Sequence, residues 1–369
     1  MKQFFWAALG LCAAFALAGC TKAAAPTAPT STSPTPSPRP TIADPLDGTG
    51  VSPADLRHRI AAVMIDNFPD ARPQSGLHDA DLVFEVEAEG GITRYLALFL
   101  GNAAAEVGPV RSARTYFVDL ARPYDPFFAH AGQNDDVIDV LKELRASGFA
   151  DMDQIQHTPE AFWRDDTRDM PHNLYASIVK MREIGPKYGY ADSPFNGRAF
   201  EFDDDRTDPG ASAPGVAPAS GQSDGLLSPA AIPTSPPLIP EADISFWEDY
   251  DVYFVWDGAA YQRFIDGQAQ HDRDDARPYE IADVIVTWVP ATVLDAIGDL
   301  RMDVYGTFPA LLIRQGRVTT GKWIASGPTT LPQLVGQNGS ALPLTRGQIY
   351  VEVMPQGSSV KIGKQTWSH

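Results

Sequence analysis

Short apolar runs broken by turn residues dominate the chain, and long amphipathic periods are scarce. Ile60-Ala61-Ala62-Val63-Met64-Ile65 is a continuous apolar run ended by Asp66-Asn67-Phe68-Pro69, which predicts a strand buried on both faces. Leu82–Glu89 and Thr93–Phe99 flank Gly90-Gly91 and read as a hairpin. Ser112–Arg122 reads as a helix and Phe127–Ala131 as a strand. In Asn134–Arg145 the helical spacing of Val137, Ile138, Leu141 and Leu144 predicts an amphipathic helix stopped at Gly148. Tyr175–Ile184 reads as another helix. Beyond residue 243 the pattern changes: Val252–Trp256, Tyr261–Ile265, Val284–Trp288, Ala310–Ile313, Lys322–Ile324 and Ile349–Val353 are strand-like and separated by turns such as Asp257-Gly258 and Asp266-Gly267. Val293–Leu300 reads as one short helix. The expected fold class is α/β: an N-terminal mixed-sheet α/β domain followed by a smaller, mostly antiparallel β domain.

Composition divides the chain further. With 369 residues, two domains are expected, each large enough to bury its own core. Lys2, the apolar run Phe4–Phe15 and Leu17-Ala18-Gly19-Cys20 have the order of a secretory signal. Leu-Ala-Gly-Cys resembles the lipobox of bacterial lipoproteins, which implies a diacylglyceryl anchor (palmitate-type acyl chains) on Cys20 as first mature residue. The expected location is therefore the cell membrane, lipid-anchored and facing the extracytoplasmic side, with several acyl chains supplying stable attachment. Proline, threonine and serine then alternate to about Pro40, a composition that favours an extended tether of about 3.1 Å per residue. A second low-complexity segment opens with Asp203-Asp204-Asp205 and carries repeated prolines to Pro240; a structureless loop of about 40 residues inside one domain would be exceptional. The expected division is a signal peptide at 1–19, lipidated cysteine and tether at 20–50, an α/β domain at 51–202, a linker or insertion at 203–242 and a β-rich domain at 243–369.

Charge and cysteine content exclude several functions. The chain has 29 basic against 47 acidic residues, a net charge of −18, so it lacks the basic surface that nucleic acid requires. Its two cysteines are Cys12, inside the signal, and Cys20, which leaves the mature chain without a disulfide, a thiolate nucleophile or a thiolate metal site. No cofactor and no metal ligand set is expected. Gly221-Gln222-Ser223-Asp224-Gly225 matches a nucleophile elbow but lies in the proline-rich segment, without the strand and helix that motif needs. Ser177-Ile178-Val179-Lys180 lacks its Lys-Thr-Gly companion. His271-Asp272-Arg273-Asp274-Asp275 lacks the ligand spacing of a calcium loop and reads as a solvated turn.

The candidate chemistry lies at strand ends of the first domain, where α/β sheets bind ligands. Arg72, Arg94, Arg111 and Arg114 are bidentate donors suited to phosphate or carboxylate. Ser112, after Gly108-Pro109, marks a helix start whose free N–H groups could face the same anion. The competing reading ties these arginines to Glu85, Glu87 and Glu89 in an internal network. Asp66 and His130 are the candidates for acid/base catalysis.

The segments Val63–Asn67, Ala71–Leu77, Ala80–Glu85, Glu89–Arg94, Gly108–Arg114, His130-Ala131-Gly132 and Pro171–Tyr175 resemble the YerB-like family of bacterial lipoproteins. Tyr261-Gln262-Arg263, Asp266-Gly267 and His271-Asp272 agree more loosely. The resemblance implies an N-terminal α/β domain with a smaller C-terminal domain, and it carries over no catalytic residues. The leading expectation is a membrane-anchored protein that binds an anionic cell-envelope ligand through Arg72, Arg94, Arg111, Ser112 and Arg114. The alternatives are an envelope hydrolase or phosphotransferase using Asp66 and His130, and an assembly protein that offers a strand edge to a partner. Protein partners and oligomeric state stay open.

Overall fold

A computed structural model describes residues 41–203, 241–247 and 250–369. The signal segment, Cys20, the tether up to residue 40 and most of the 203–242 segment lie outside the described residues. The expected tether is shorter than 20–50: Ile42–Ala43 pairs antiparallel with Gly50–Val51, and Leu46 between them is fully buried. An apolar side chain in the core cannot belong to a solvated tether, so residues 42–51 belong to the fold.

The strands in chain order are β1 (Ala61–Asp66), β2 (Leu82–Glu89), β3 (Ile92–Phe99), β4 (Phe127–His130) and β5 (Ala150–Asp153). After the undescribed segment come β6 (Glu241–Trp247), β7 (Tyr250–Trp256), β8 (Tyr261–Ile265), β9 (Gln268–Ala269), β10 (Asp283–Val289), β11 (Gly306–Arg314), β12 (Arg317–Ala325), β13 (Gln333–Gly336), β14 (Ile349–Pro355), β15 (Ser359–Ile362) and β16 (Gln365–Ser368). Among the described residues the three α-helices, α1 (Thr115–Ala121), α2 (Asp135–Ala146) and α3 (Ile178–Ile184), belong to the N-terminal part.

One mixed sheet of ten strands runs in the order β13-β12-β11-β10-β14-β2-β3-β1-β4-β5. It crosses from one part of the chain to the other where β14 pairs parallel with both β10 and β2. A second, antiparallel sheet runs β9-β8-β7-β6-β15-β16. Alternation along β1 sends Val63 and Ile65 into an apolar cluster with Val252, Phe254 and Tyr261 of the smaller sheet. Ala62 and Met64 enter a cluster on the opposite face with Tyr116 and Phe117 of α1, Leu141 of α2 and Trp323 of β12. Coverage on both faces explains why β1 reads as an unbroken apolar run. The expectation of a separate core for each domain is not met, because each cluster draws residues from both.

Three local expectations are corrected. Val293–Leu300 is no helix: Ala291–Val293 pairs antiparallel with Leu300–Met302, and the Asp295 carboxylate accepts the N–H groups of Ile297 and Asp299 to close the turn. Tyr175 lies in a strand, Leu174–Ala176, paired with Phe162–Arg164; the helix starts only after Ser177, whose hydroxyl accepts the Lys180 N–H. The helix expected from Ser112 starts at Thr115, because Arg111 N–H donates to the Met64 carbonyl (3.0 Å) and Ala113 N–H to that of Gly132 (2.9 Å).

Beneath the β14–β2 junction lies a buried polar cluster. Glu352 of β14 stands in register with Glu85 of β2. Arg263 from β8 is 1% exposed, pairs with Glu85, and lies within 5.4–5.8 Å of the ring centres of Tyr95, Phe254 and Tyr350. Burial raises the pKa of Glu352 well above the usual carboxylate range, and the neighbouring Glu85 adds to the shift. The two carboxyls therefore carry one charge between them, matched by one guanidinium. Removing one partner of such a pair strands the other in an apolar interior, so Arg263→Ala is expected to cost about 3–5 kcal/mol, read by urea denaturation. Wild type is expected to melt in a single transition, since both apolar clusters among the described residues draw on both parts of the chain; two resolved calorimetric transitions would contradict the shared core.

Candidate functional site

A cavity of about 280 Å³ opens where the end of β1 and the β2–β3 turn meet the smaller sheet. Asn67, Phe68, Pro69 and Arg72 form one wall, Gly90-Gly91, Ile92 and Thr93 another, and Tyr250 and Asp266 the third. The Asp66 carboxylate accepts the Phe68 N–H (3.0 Å), and a short turn at Pro69–Ala71 sends the chain back so that Arg72 lies under Asn67. Gly90 and Gly91 both take left-handed φ (59° and 78°), which lets the hairpin close without side chains in the opening.

Arg72 is held on most of its donor edge. Its Nε donates to the Asn67 carbonyl and Oδ1 (both 3.1 Å), and its Nη2 to the same carbonyl (2.8 Å). The guanidinium lies 5.3 Å from the centre of the Tyr250 ring, within cation–π range. Only Nη1 faces outward, toward the half-exposed Asp266 carboxylate at 3.5 Å. The cavity floor is firm: Asn67 Nδ2 donates to Thr93 Oγ1 (2.7 Å) and Tyr250 Oη to Glu85 (2.7 Å), which joins the site to the buried Glu85–Arg263 pair. Burial raises the pKa of Tyr250, and the Glu85 charge beside it acts in the same direction, so its hydroxyl stays protonated.

The other nominated arginines lie elsewhere. Thr93 reaches into the cluster below the cavity, so alternation along β3 turns Arg94 to the opposite face of the sheet. There the Glu89 carboxylate is shared by Arg94 and Arg114 (2.7 Å to Arg114), and Asp299 stands 3.9 Å from Arg114. Arg111 Nε lies 2.9 Å from Asp66 Oδ2, which also meets His172 Nδ1 at 2.7 Å. Burial lowers the pKa of Arg94, and the like charge of Arg114 lowers it further, with Arg111 adding a smaller part. Three guanidinium groups thus converge, each against a carboxylate of the fold. Ser112 donates its hydroxyl to the Ala131 carbonyl (3.1 Å), and its own carbonyl accepts from Arg94. The N–H groups expected to face an anion are used internally: Gly108 donates to Ser75 (3.1 Å) and Val110 to Leu174 (2.6 Å).

Asp66 and His130 are not brought together. His130 is fully buried, with Nε2 2.7 Å from Asp151 Oδ1 and Nδ1 2.9 Å from the Gly132 carbonyl. Both neighbours are acceptors, so both ring nitrogens must donate and the ring is a cation. Burial opposes that charge, yet the pKa of His130 is raised, because Asp151 hydrogen-bonds to it and attracts it. Burial likewise opposes ionisation of Asp151, whose pKa is nevertheless lowered by His130 and Arg145. A ring with both nitrogens engaged and no solvent access has no free position for proton transfer to a substrate. Linkage gives the sign of its contribution to stability: for His130 it is complete below about pH 6.5 and lost as pH rises through the higher folded value, whereas for Asp151 it is lost as pH falls below about 3.9. His130→Gln is expected to flatten the decline in unfolding free energy as pH rises above about 6.5, measured by denaturant titration at each pH. An unchanged slope would remove the imidazolium assignment.

The Asn67, Arg72 and Gly90–Thr93 positions were visible in sequence as polar turns. Asp266 was visible only as a turn residue and Tyr250 had no local signal, since both line the cavity only because the smaller sheet packs over it. Comparison with known proteins agrees with this architecture. The N-terminal domain of a family described as a protein of unknown function (DUF3048) matches residues 48–191, and the C-terminal domain of the same family matches 242–351. The cavity takes its walls from both. The protein described as "Putative lipoprotein YerB" of Bacillus subtilis (strain 168) is 29% identical over 325 residues, which spans 87% of this chain and 88% of the relative. The crystal structure of the Bacillus subtilis YerB protein superposes with a TM-score of 0.71 at 25% identity, covering 87% of this chain and 99% of that one. No helix among the described residues is long and apolar enough to cross a membrane. The chain carries both DUF3048 domains and belongs to the YerB-like two-domain family.

Proposed function

We propose that this is a lipid-anchored, extracytoplasmic protein that binds an anionic cell-envelope ligand in the cavity beside Arg72. The anchor rests on the Leu17-Ala18-Gly19-Cys20 signal and on the lipoprotein description of the Bacillus relative. The observation that carries the ligand reading is the posture of Arg72: a guanidinium fixed on Asn67 and Tyr250, with Nη1 turned toward the cavity and met only by a half-exposed carboxylate 3.5 Å away. A surface pair of that length contributes little, so an incoming phosphate or carboxylate displaces Asp266 at small cost. Phe68, Pro69, Ile92 and the Tyr250 ring supply apolar surface for the body of the ligand. Arg94, Arg111, Ser112 and Arg114 take a supporting role in this reading, bracing the β1 and β3 ends that form the cavity walls.

Two probes separate the ligand classes: inorganic phosphate and the dipeptide alanyl-alanine, each titrated calorimetrically into the full chain. One of them is expected to bind wild type, and Arg72→Ala to weaken that binding at least tenfold, since hydrogen bonds to charged groups contribute about 1.5–3 kcal/mol. Arg72→Ala should unfold within about 1–2 kcal/mol of wild type. Failure of both probes at millimolar concentration would reject the anionic-ligand reading.

A further inference from the structure

On the far side of the β14–β2 junction from the cavity, we propose that Asp44, Asp47 and Asp81 form a calcium site that clamps the N-terminal hairpin to the large sheet. The three aspartates are 1%, 5% and 1% exposed, and one carboxylate oxygen from each lies within 4.8 Å of the other two. Calcium bonds of about 2.3–2.6 Å put ligand oxygens of one ion no more than about 5 Å apart, so the spacing suits a shared ion.

Each carboxylate uses one oxygen to brace the backbone. Asp44 Oδ1 accepts the Leu46 N–H (2.8 Å), Asp47 Oδ1 accepts Thr49 N–H and Oγ1 (both 2.8 Å), and Asp81 Oδ2 accepts the Leu100 N–H (2.5 Å). The second Asp44 oxygen, Oδ2, is buried and has no hydrogen-bond partner. It stands beside Gly101, where a Cβ would approach within 2.9 Å, and Gly101 directly follows the residue bonded to Asp81. An orphaned carboxylate oxygen in a dry setting, on a residue whose carboxylate lies within 4.8 Å of two more, is the feature that distinguishes this cluster from a solvated acidic turn.

Charge balance points the same way. Arg346 donates to the Gly48 carbonyl and attracts Asp47, but no salt bridge among the described residues reaches any of the three aspartates. Arg182 likewise attracts Asp81 without a salt bridge to it, and three buried carboxylates packed this closely still favour a shared cation. The donor set is oxygen alone, which selects a hard cation, and its irregular geometry suits calcium better than magnesium, which requires a near-ideal octahedron and retains its waters. The site would join residues 44–47, the residue just before β2 and the turn after β3.

The test is calcium titration of the metal-free full chain, followed by calorimetry and by melting temperature. One calcium per chain is expected, at a dissociation constant of about 10⁻⁴–10⁻³ M, with a rise in melting temperature that magnesium at the same concentration does not reproduce. Asp81→Asn is expected to weaken binding at least tenfold while the metal-free variant melts no lower than metal-free wild type, because a buried charge has been removed. Asp44→Asn, whose amide oxygen keeps the Leu46 bond, should do the same and serves if the first variant does not fold. Absence of calcium binding to wild type at several millimolar would overturn the site, and so would undiminished binding in a folded variant.

Discussion

The parallel pairing of β14 with β2 is the constraint from which the rest of the structure follows. Residues 349–353 come back over the length of the chain to lie beside residues 82–86, and the pairing makes one sheet of two sequence-distant sets of strands. Parallel strands need long crossovers and coverage on both faces. The smaller sheet covers one face, and α1, α2 and the Phe200–Phe202 segment cover the other. Both apolar clusters therefore depend on that one register.

The same register places two glutamates side by side in a dry interior. Arg263 resolves the conflict by entering from the smaller sheet and matching the single charge the pair retains. This ion pair lies directly beneath Tyr250 and Asn67, so the cavity floor is part of the joint between sheets. A buried ion pair is weak evidence of stability, but it is sensitive to position. In this protein it ties the orientation of the smaller sheet to the geometry of the Arg72 pocket.

The arginines show how far local sequence could be read. Arg72 and Arg94 both sit at strand ends in polar turns, and nothing in their spacing separates them. In the structure Arg72 lines a cavity, and Arg94 shares Glu89 with Arg114 on the other face of the sheet. The competing expectation of an internal network named Glu89 correctly as a partner. It also named Glu85, which instead pairs with Arg263 from 178 residues further along the chain. His130 was legible as a strand residue. Its role as a fixed imidazolium depends on Asp151, which the β4–β5 pairing brings within reach.

What the sequence alone determined is whatever depends on neighbouring residues. The signal order ending at Cys20, the buried run of β1, the hairpin at Gly90-Gly91 and the amphipathic face of α2 are written in periods of two to four residues or in turn chemistry, and these were readable directly. Only the tertiary structure decided the shared core, the face on which each arginine falls, the third wall of the cavity and the meeting of Asp44 and Asp47 with Asp81. Those features depend on the register between strands far apart in the chain, and a shift of one residue there would turn every side chain to the opposite face. No local pattern encodes that choice; it is made by the two apolar faces of one sheet finding their partners together.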